Sequence, residues 1–164
     1  MHFELDPPRG AGPLMMGMGL AEARQAMAIW GSPEDVTGGL TPGLRVRDAQ
    51  LSFDVFAHFE SDSVLTAVEI WRPLGKSPAS VTWNGIDIFQ TPPDVLLQRL
   101  RESGLEVDES DPRNPFCPDV TIGFNRSGGT EFFGPGLPSW LESVLVAKPG
   151  YYSVEVDFGD FKLS

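Results

Sequence analysis

A chain of 164 residues suits one domain, because a chain of that size buries roughly 70% of the surface its unfolded form exposes and so supports one real core. Hydrophobic residues at 41% and charged residues at 21% are ordinary globular usage, and no apolar run reaches the length of a membrane span, so neither disorder nor a bilayer helix is expected. The 23 acidic against 12 basic side chains, a formal net charge of −11, oppose attraction to phosphate backbones and anionic lipid; nucleic acid and membrane surfaces are not expected partners.

From the first residue, Met1 to Gly19 carries acids and prolines early and only a short apolar run from Leu14 to Met18, with no basic start before it. That is unlike a signal peptide. The single Cys117 can make no internal disulfide. Both features point to a cytoplasmic setting. A first helix is predicted over Leu20 to Trp30, with Leu20, Ala23, Met27 and Trp30 on one face, Glu22 in the opening turn and Gly31-Ser32-Pro33 as the stop. A Gly/Pro-rich connector from Pro33 to Gly43 precedes Leu51 to Phe59, where Leu51, Phe53, Val55, Ala57 and Phe59 alternate as in a strand. The turn Glu60-Ser61-Asp62-Ser63 leads into a second β-rich run, Val64 to Arg72, so the two read as an antiparallel hairpin.

The second half follows the same plan. After a strand at Ser80 to Trp83, Thr91-Pro92-Pro93-Asp94 reads as an N-cap, a proline at the first helical position and an acid three residues after the cap. That helix runs through Val95, Leu96, Leu97 and Leu100, carries Arg99 and Arg101 near its negative end, and stops at Gly104. Strands are predicted at Leu105 to Val107, Val120 to Asn125, Leu141 to Lys148, and through the alternating Tyr152, Val154, Val156 and Phe158. The predicted fold class is α+β: antiparallel sheet with a helix packed on one face, parallel crossovers being disfavoured by the short connections. The single domain 1–164 reads either as two tandem helix-then-strands units, 1–78 and 79–164, or as two ordinary stretches sharing a common grammar.

Chemistry is hard to place on these elements. His2, His58 and Cys117 have no metal-ligand spacing, and the acids Glu106, Asp108, Glu109 and Asp111 lack the pattern of a calcium loop, so no metal and no cofactor is expected. There is no Gly-x-Ser-x-Gly elbow. Asp157-Phe158-Gly159 copies only three letters of a kinase signature, and Gly10-x-Gly12 and Gly17-x-Gly19 lack dinucleotide spacing. His58 lies within a strand, and the carboxylates Asp54, Glu60, Asp62 and Glu69 are common enough to pair by chance. What stands out is an acidic segment, Glu106 to Asp111, and three aromatics in a Gly/Pro-rich stretch, Phe132, Phe133 and Trp140. The acids can steer a basic partner and the rings can anchor it.

The stretch Gly12-Pro13-Leu14-Met15-Met16-Gly17-Met18-Gly19-Leu20-Ala21-Glu22-Ala23, followed by Trp30-Gly31-Ser32-Pro33, resembles the helix-leading segment of the tandem architecture of β-lactamase inhibitory proteins and outer-membrane assembly lipoproteins of the SmpA type. It is also similar to some toxin-neutralising immunity proteins. The secreted inhibitors and the lipoproteins rely on export signals and cysteines that this sequence lacks, so the resemblance implies the cytoplasmic, immunity-type role. The expected function is therefore a non-enzymatic protein-binding module that neutralises another protein, such as a basic toxin, through an acidic surface. The alternative is a small-molecule binder or small enzyme using a sheet-lined pocket with carboxylates. A structural subunit of a larger assembly is the third reading.

Overall fold

The computed structural model describes residues 2–39, 41–48, 53–73, 79–126 and 136–151. The aromatics Phe132 and Phe133 and the strand predicted through Tyr152 to Phe158 lie outside the described residues.

The chain begins with a strand that its composition concealed: β1 (His2–Asp6), in which only Phe3 and Leu5 turn inward. Two short strands follow, β2 (Gly10–Ala11) and β3 (Leu14–Met15). Gly10 is obligatory, since a Cβ there would come within 2.1 Å of the Leu14 carbonyl oxygen. Helix α1 (Leu20–Met27) passes into a 3-10 turn, Ala28–Trp30, on the residues predicted, and it buries Ala23, Met27 and Trp30. The connector after it is not featureless. It contains β4 (Glu34–Asp35) and leads directly into β5 (Gly43–Asp48). The predicted hairpin is present as β6 (Phe53–Phe59) and β7 (Leu65–Trp71), antiparallel, with a register shift between His58 and Phe59.

Then come β8 (Ser80–Trp83), β9 (Ile86–Asp87), α2 (Pro93–Glu102), β10 (Phe116–Cys117), β11 (Ile122–Asn125) and β12 (Ser143–Ala147). The start of α2 differs from the expectation. Pro93 restricts the residue before it, so Pro92 stays extended (φ −55°, ψ 137°) and takes the cap position, with no side-chain cap bond; the Thr91 amide donates instead to the Asp87 carbonyl. The predicted stop holds: Gly104 adopts φ +94°, and the amides of Gly104 and Leu105 return to the carbonyls of Arg101 and Leu100. Leu105 to Val107 is not a strand. Leu105 and Val107 pack on the core without ladder partners, and only Asp108 makes an isolated antiparallel bridge, to Phe116.

The strands assemble into an α+β fold with two sheets, one ordered β3-β2-β1-β8-β9 and one ordered β10-β11-β12-β7-β6-β5-β4. The larger sheet is antiparallel throughout its pairings. The smaller contains one exception to the antiparallel expectation, because β1 and β8 run parallel with His2 opposite Ser80. Some 70 residues of chain separate the two strands, so no local crossover is needed and the rule that disfavours short parallel connections does not apply. Each sheet draws strands from both sides of residue 78.

One hydrophobic core joins the layers. Phe3 belongs to it and lies 4.7 Å from the Trp30 ring and 5.2 Å edge-on from Phe53, so a single side chain ties β1 to the 3-10 turn and to the larger sheet. Leu96, Leu97 and Leu100 of α2 enter the same core as Val55, Ile70, Val144 and Val146. Cys117 is buried there too, and burial pushes its thiol up to about 11. Arg126, almost wholly buried, fastens α2 to the end of β11: its Nη1 and Nη2 donate to Asp94 at 2.7 and 3.3 Å, and its Nε donates to the Pro138 carbonyl at 3.0 Å. Asp94, read from sequence as a capping acid, is engaged there instead.

Candidate functional site

Side chains on a strand alternate between faces, so the registers of the larger sheet decide which residues share its outer surface. One row crosses all seven strands. Phe116 of β10 stands opposite Gly123 of β11, Gly123 opposite Leu145 of β12, and Leu145 opposite Glu69 of β7; beyond these come Phe56 of β6, Arg45 of β5 and Glu34 of β4. A second row beside it runs Asn125, Ser143, Trp71, Asp54, Arg47, and a third carries Ala147, Ala67 and His58. Among the described residues, the large outer-row side chains Phe56, Trp71, Phe116 and Leu145 are not part of the hydrophobic core or of the fringe packed against it.

Charge is distributed unevenly over this face. Toward β4, Arg45 donates to Asp54 through Nε at 3.1 Å and Nη2 at 3.0 Å, while Arg47 donates to the same carboxylate at 3.2 to 3.3 Å. The Arg45 guanidinium also lies 5.1 Å over the Phe56 ring, which stacks nearly parallel on His58. Desolvation pushes the Asp54 carboxyl up, but the hydrogen bonds from Arg45 and Arg47 outweigh it and hold it below the usual carboxylate range. Those cations are committed.

Toward β10 the face is different. Glu69, its side chain 20% exposed, accepts a 2.8 Å hydrogen bond from the Ser143 hydroxyl on Oε1, and its Oε2 lies 3.6 Å from His58 Nε2. At Gly123 the row has no side chain, and a recess of about 210 Å³ opens there between Phe116 and Leu145; Glu69, Asn114, Asn125 and Tyr151 also line it. The Tyr151 hydroxyl is raised above the ordinary phenol value by burial and then by the Glu69 charge.

The acidic segment borders this recess. Asp108 and Phe116 exchange backbone hydrogen bonds at 2.8 and 3.0 Å, and the chain between them folds into turns that bring Asn114, Pro115 and Phe116 to the recess wall. Two of the four candidate acids shape those turns. Asp108 accepts from the hydroxyl and amide of Ser110, and Asp111 accepts from the Asn114 side chain at 2.7 Å and the Arg113 amide at 3.0 Å; in each case these bonds hold the carboxyl below its usual value. Glu109 pairs with Arg101 of α2, and Glu106 is exposed. Trp140 stands elsewhere: half-buried, with the Arg72 guanidinium 5.4 Å from its ring, it lines a second recess of about 170 Å³ with Pro73, Asp87 and Phe89, and the two recesses share no residue.

The residues that sequence reasoning missed are Gly123, Ser143, Phe116 and Tyr151. Alternation alone places Phe56 and Glu69 on one face of the hairpin, but joining β7 to β12 and β11 requires long-range pairing that no local signal encodes.

Chemically, the hydroxyl, carboxylate and imidazole stand in the order Ser143, Glu69, His58. The imidazole is thus on the far side of the carboxylate from the hydroxyl, the reverse of what a serine nucleophile needs, and Ser143 is only 2% exposed. Among the described residues no group of three or more His, Cys, Asp or Glu side chains is placed to hold a metal ion, and no helix is long and apolar enough to cross a membrane. Comparison with family models, curated proteins and solved structures finds no match.

Proposed function

We propose that this chain is a non-catalytic docking protein of the immunity or inhibitor kind, which covers a basic surface of another protein with the outer face of its seven-stranded sheet. The observation that carries this reading is the recess at Gly123, set in a row of side chains that the core does not use, with a carboxylate in it and an acidic turn region beside it. Seven strands spaced by ~4.8 Å make a surface about 29 Å across, the scale of a protein contact. A small-molecule site is less well supported, since about 210 Å³ falls below the ~300–1,000 Å³ of such pockets. The order of Ser143, Glu69 and His58 argues against a nucleophilic enzyme.

Acids on the Glu106 to Asp111 turns accelerate encounter with a basic partner, and the half-buried side chains of the row provide the contact area. The test is capture from cell extract on the immobilised full chain, followed by association kinetics of the captured protein. Reversing Glu106 and Glu109 to lysine lowers the association rate about tenfold at low salt and flattens its salt dependence. Equal rates for the two chains would refute the reading.

A further inference from the structure

Resting on the docking reading above, we propose that the recess at Gly123 is a socket for one arginine side chain of the partner, whose guanidinium pairs with Glu69 and lies against the rings of Phe116 and Tyr151. The first argument is the glycine itself. Gly123 stands in regular antiparallel pairing on both sides, with Phe116 and with Leu145, so its backbone makes no demand for glycine. Glycine inside a strand weakens it, and its presence commonly marks a bulge, a tight bend, or close approach by a ligand or another backbone. Here it opens the recess.

The second argument is the charge left over. Among the described residues of the same face, Arg45 and Arg47 are both bonded to Asp54, and Lys148 is paired with Glu60. Glu69 receives the Ser143 hydroxyl on one oxygen and faces His58 Nε2 at 3.6 Å, beyond hydrogen-bonding distance, so the carboxylate retains acceptor capacity in a site that is 80% screened from solvent. An anion would be repelled there, and an apolar group would strip water from the carboxylate without replacing it. A guanidinium is planar, donor-only and weakly hydrated, and it stacks on aromatic rings, whereas an ammonium gives up hydration more reluctantly. The aromatic rim of Phe116 and Tyr151 favours the former.

The test is an NMR titration of the ¹⁵N-labelled full chain with N-acetyl-arginine methylamide, with the citrulline analogue as a neutral probe of the same shape and the lysine analogue as a second cation. Saturable shifts are expected at Gly123 and Leu145 with the arginine probe, in the ~1 mM range of a single side chain, and both comparison probes bind at least about tenfold more weakly. Glu69→Gln and Gly123→Val lose the response while keeping the wild-type spectrum elsewhere. Gly123→Ala, the smaller filling, weakens it several-fold and covers the case in which valine disturbs the strand. Citrulline or lysine binding as well as arginine, or an undiminished response in Glu69→Gln or Gly123→Ala, overturns the socket. A captured partner that still depends on Glu106 and Glu109 but binds Gly123→Ala and Glu69→Gln as tightly as wild type leaves the docking face standing and removes the socket alone.

Discussion

Replacing Asp54 by asparagine keeps the shape of the side chain and removes the one anion shared by Arg45 and Arg47. The Asp54 side chain is 19% exposed, Arg45 lies at 30% and Arg47 at 62%, so the two pairs differ in worth. The bidentate, half-buried Arg45 pair contributes about 1–2 kcal/mol, between the exposed and the buried limits, and the solvated Arg47 pair about 0.2–1 kcal/mol. Asp54→Asn therefore destabilises by roughly 2 kcal/mol at pH 7, a fall in Tm of about 4–8 °C for a chain of this length. Urea unfolding followed by tryptophan fluorescence measures it. The pH dependence supplies a second check. The folded carboxyl titrates below its unfolded value, so its stabilisation is complete above the unfolded value near 4 and is lost as pH falls through the folded one. The gap between wild type and variant is wide at pH 7 and closes in acid. A variant within about 0.5 kcal/mol of wild type at pH 7, or a gap that persists undiminished after Asp54 has protonated, would show that the shared carboxylate does not organise this end of the sheet.

Two further outcomes are expected. Phe3→Ala empties the junction between β1, Trp30 and Phe53 and costs about 3–5 kcal/mol by chemical denaturation, whereas Phe3→Leu retains most of the stability. Cys117, fully enclosed and with its thiol raised to about 11, reacts with a disulfide reagent at pH 8 no faster than the native chain unfolds, and immediately once urea is added.

Local signals carried much of the architecture. Helix α1, the hairpin of β6 and β7, strand β8 and the glycine stop of α2 were all readable, because each rests on side-chain periodicity or a turn residue within a few positions. Strand β5 was not, since its only inward residues, Leu44 and Val46, alternate with Arg45 and Arg47 behind a Gly/Pro-rich connector. Strand β1 escaped because it turns only Phe3 and Leu5 inward, and its parallel partner lies too far along the chain for any window to reveal. The acidic segment was readable as acidic, but a sequence does not show that Asp108 and Asp111 spend their carboxylates on turns while Asn114 and Phe116 reach the recess. Glu69 was one carboxylate among many until four strands converged around it.

The row from Phe116 to Glu34 takes one residue from each strand. Its chemistry can therefore drift one position at a time, each exchange leaving the neighbouring backbones in place, much as letters are swapped in a fixed line of type. A change of length is another matter: one extra residue within a strand turns every later side chain of that strand over, delivering Glu69 or Arg45 to the interior and a valine to the water. Such a surface is open to diversification by substitution and closed to it by insertion.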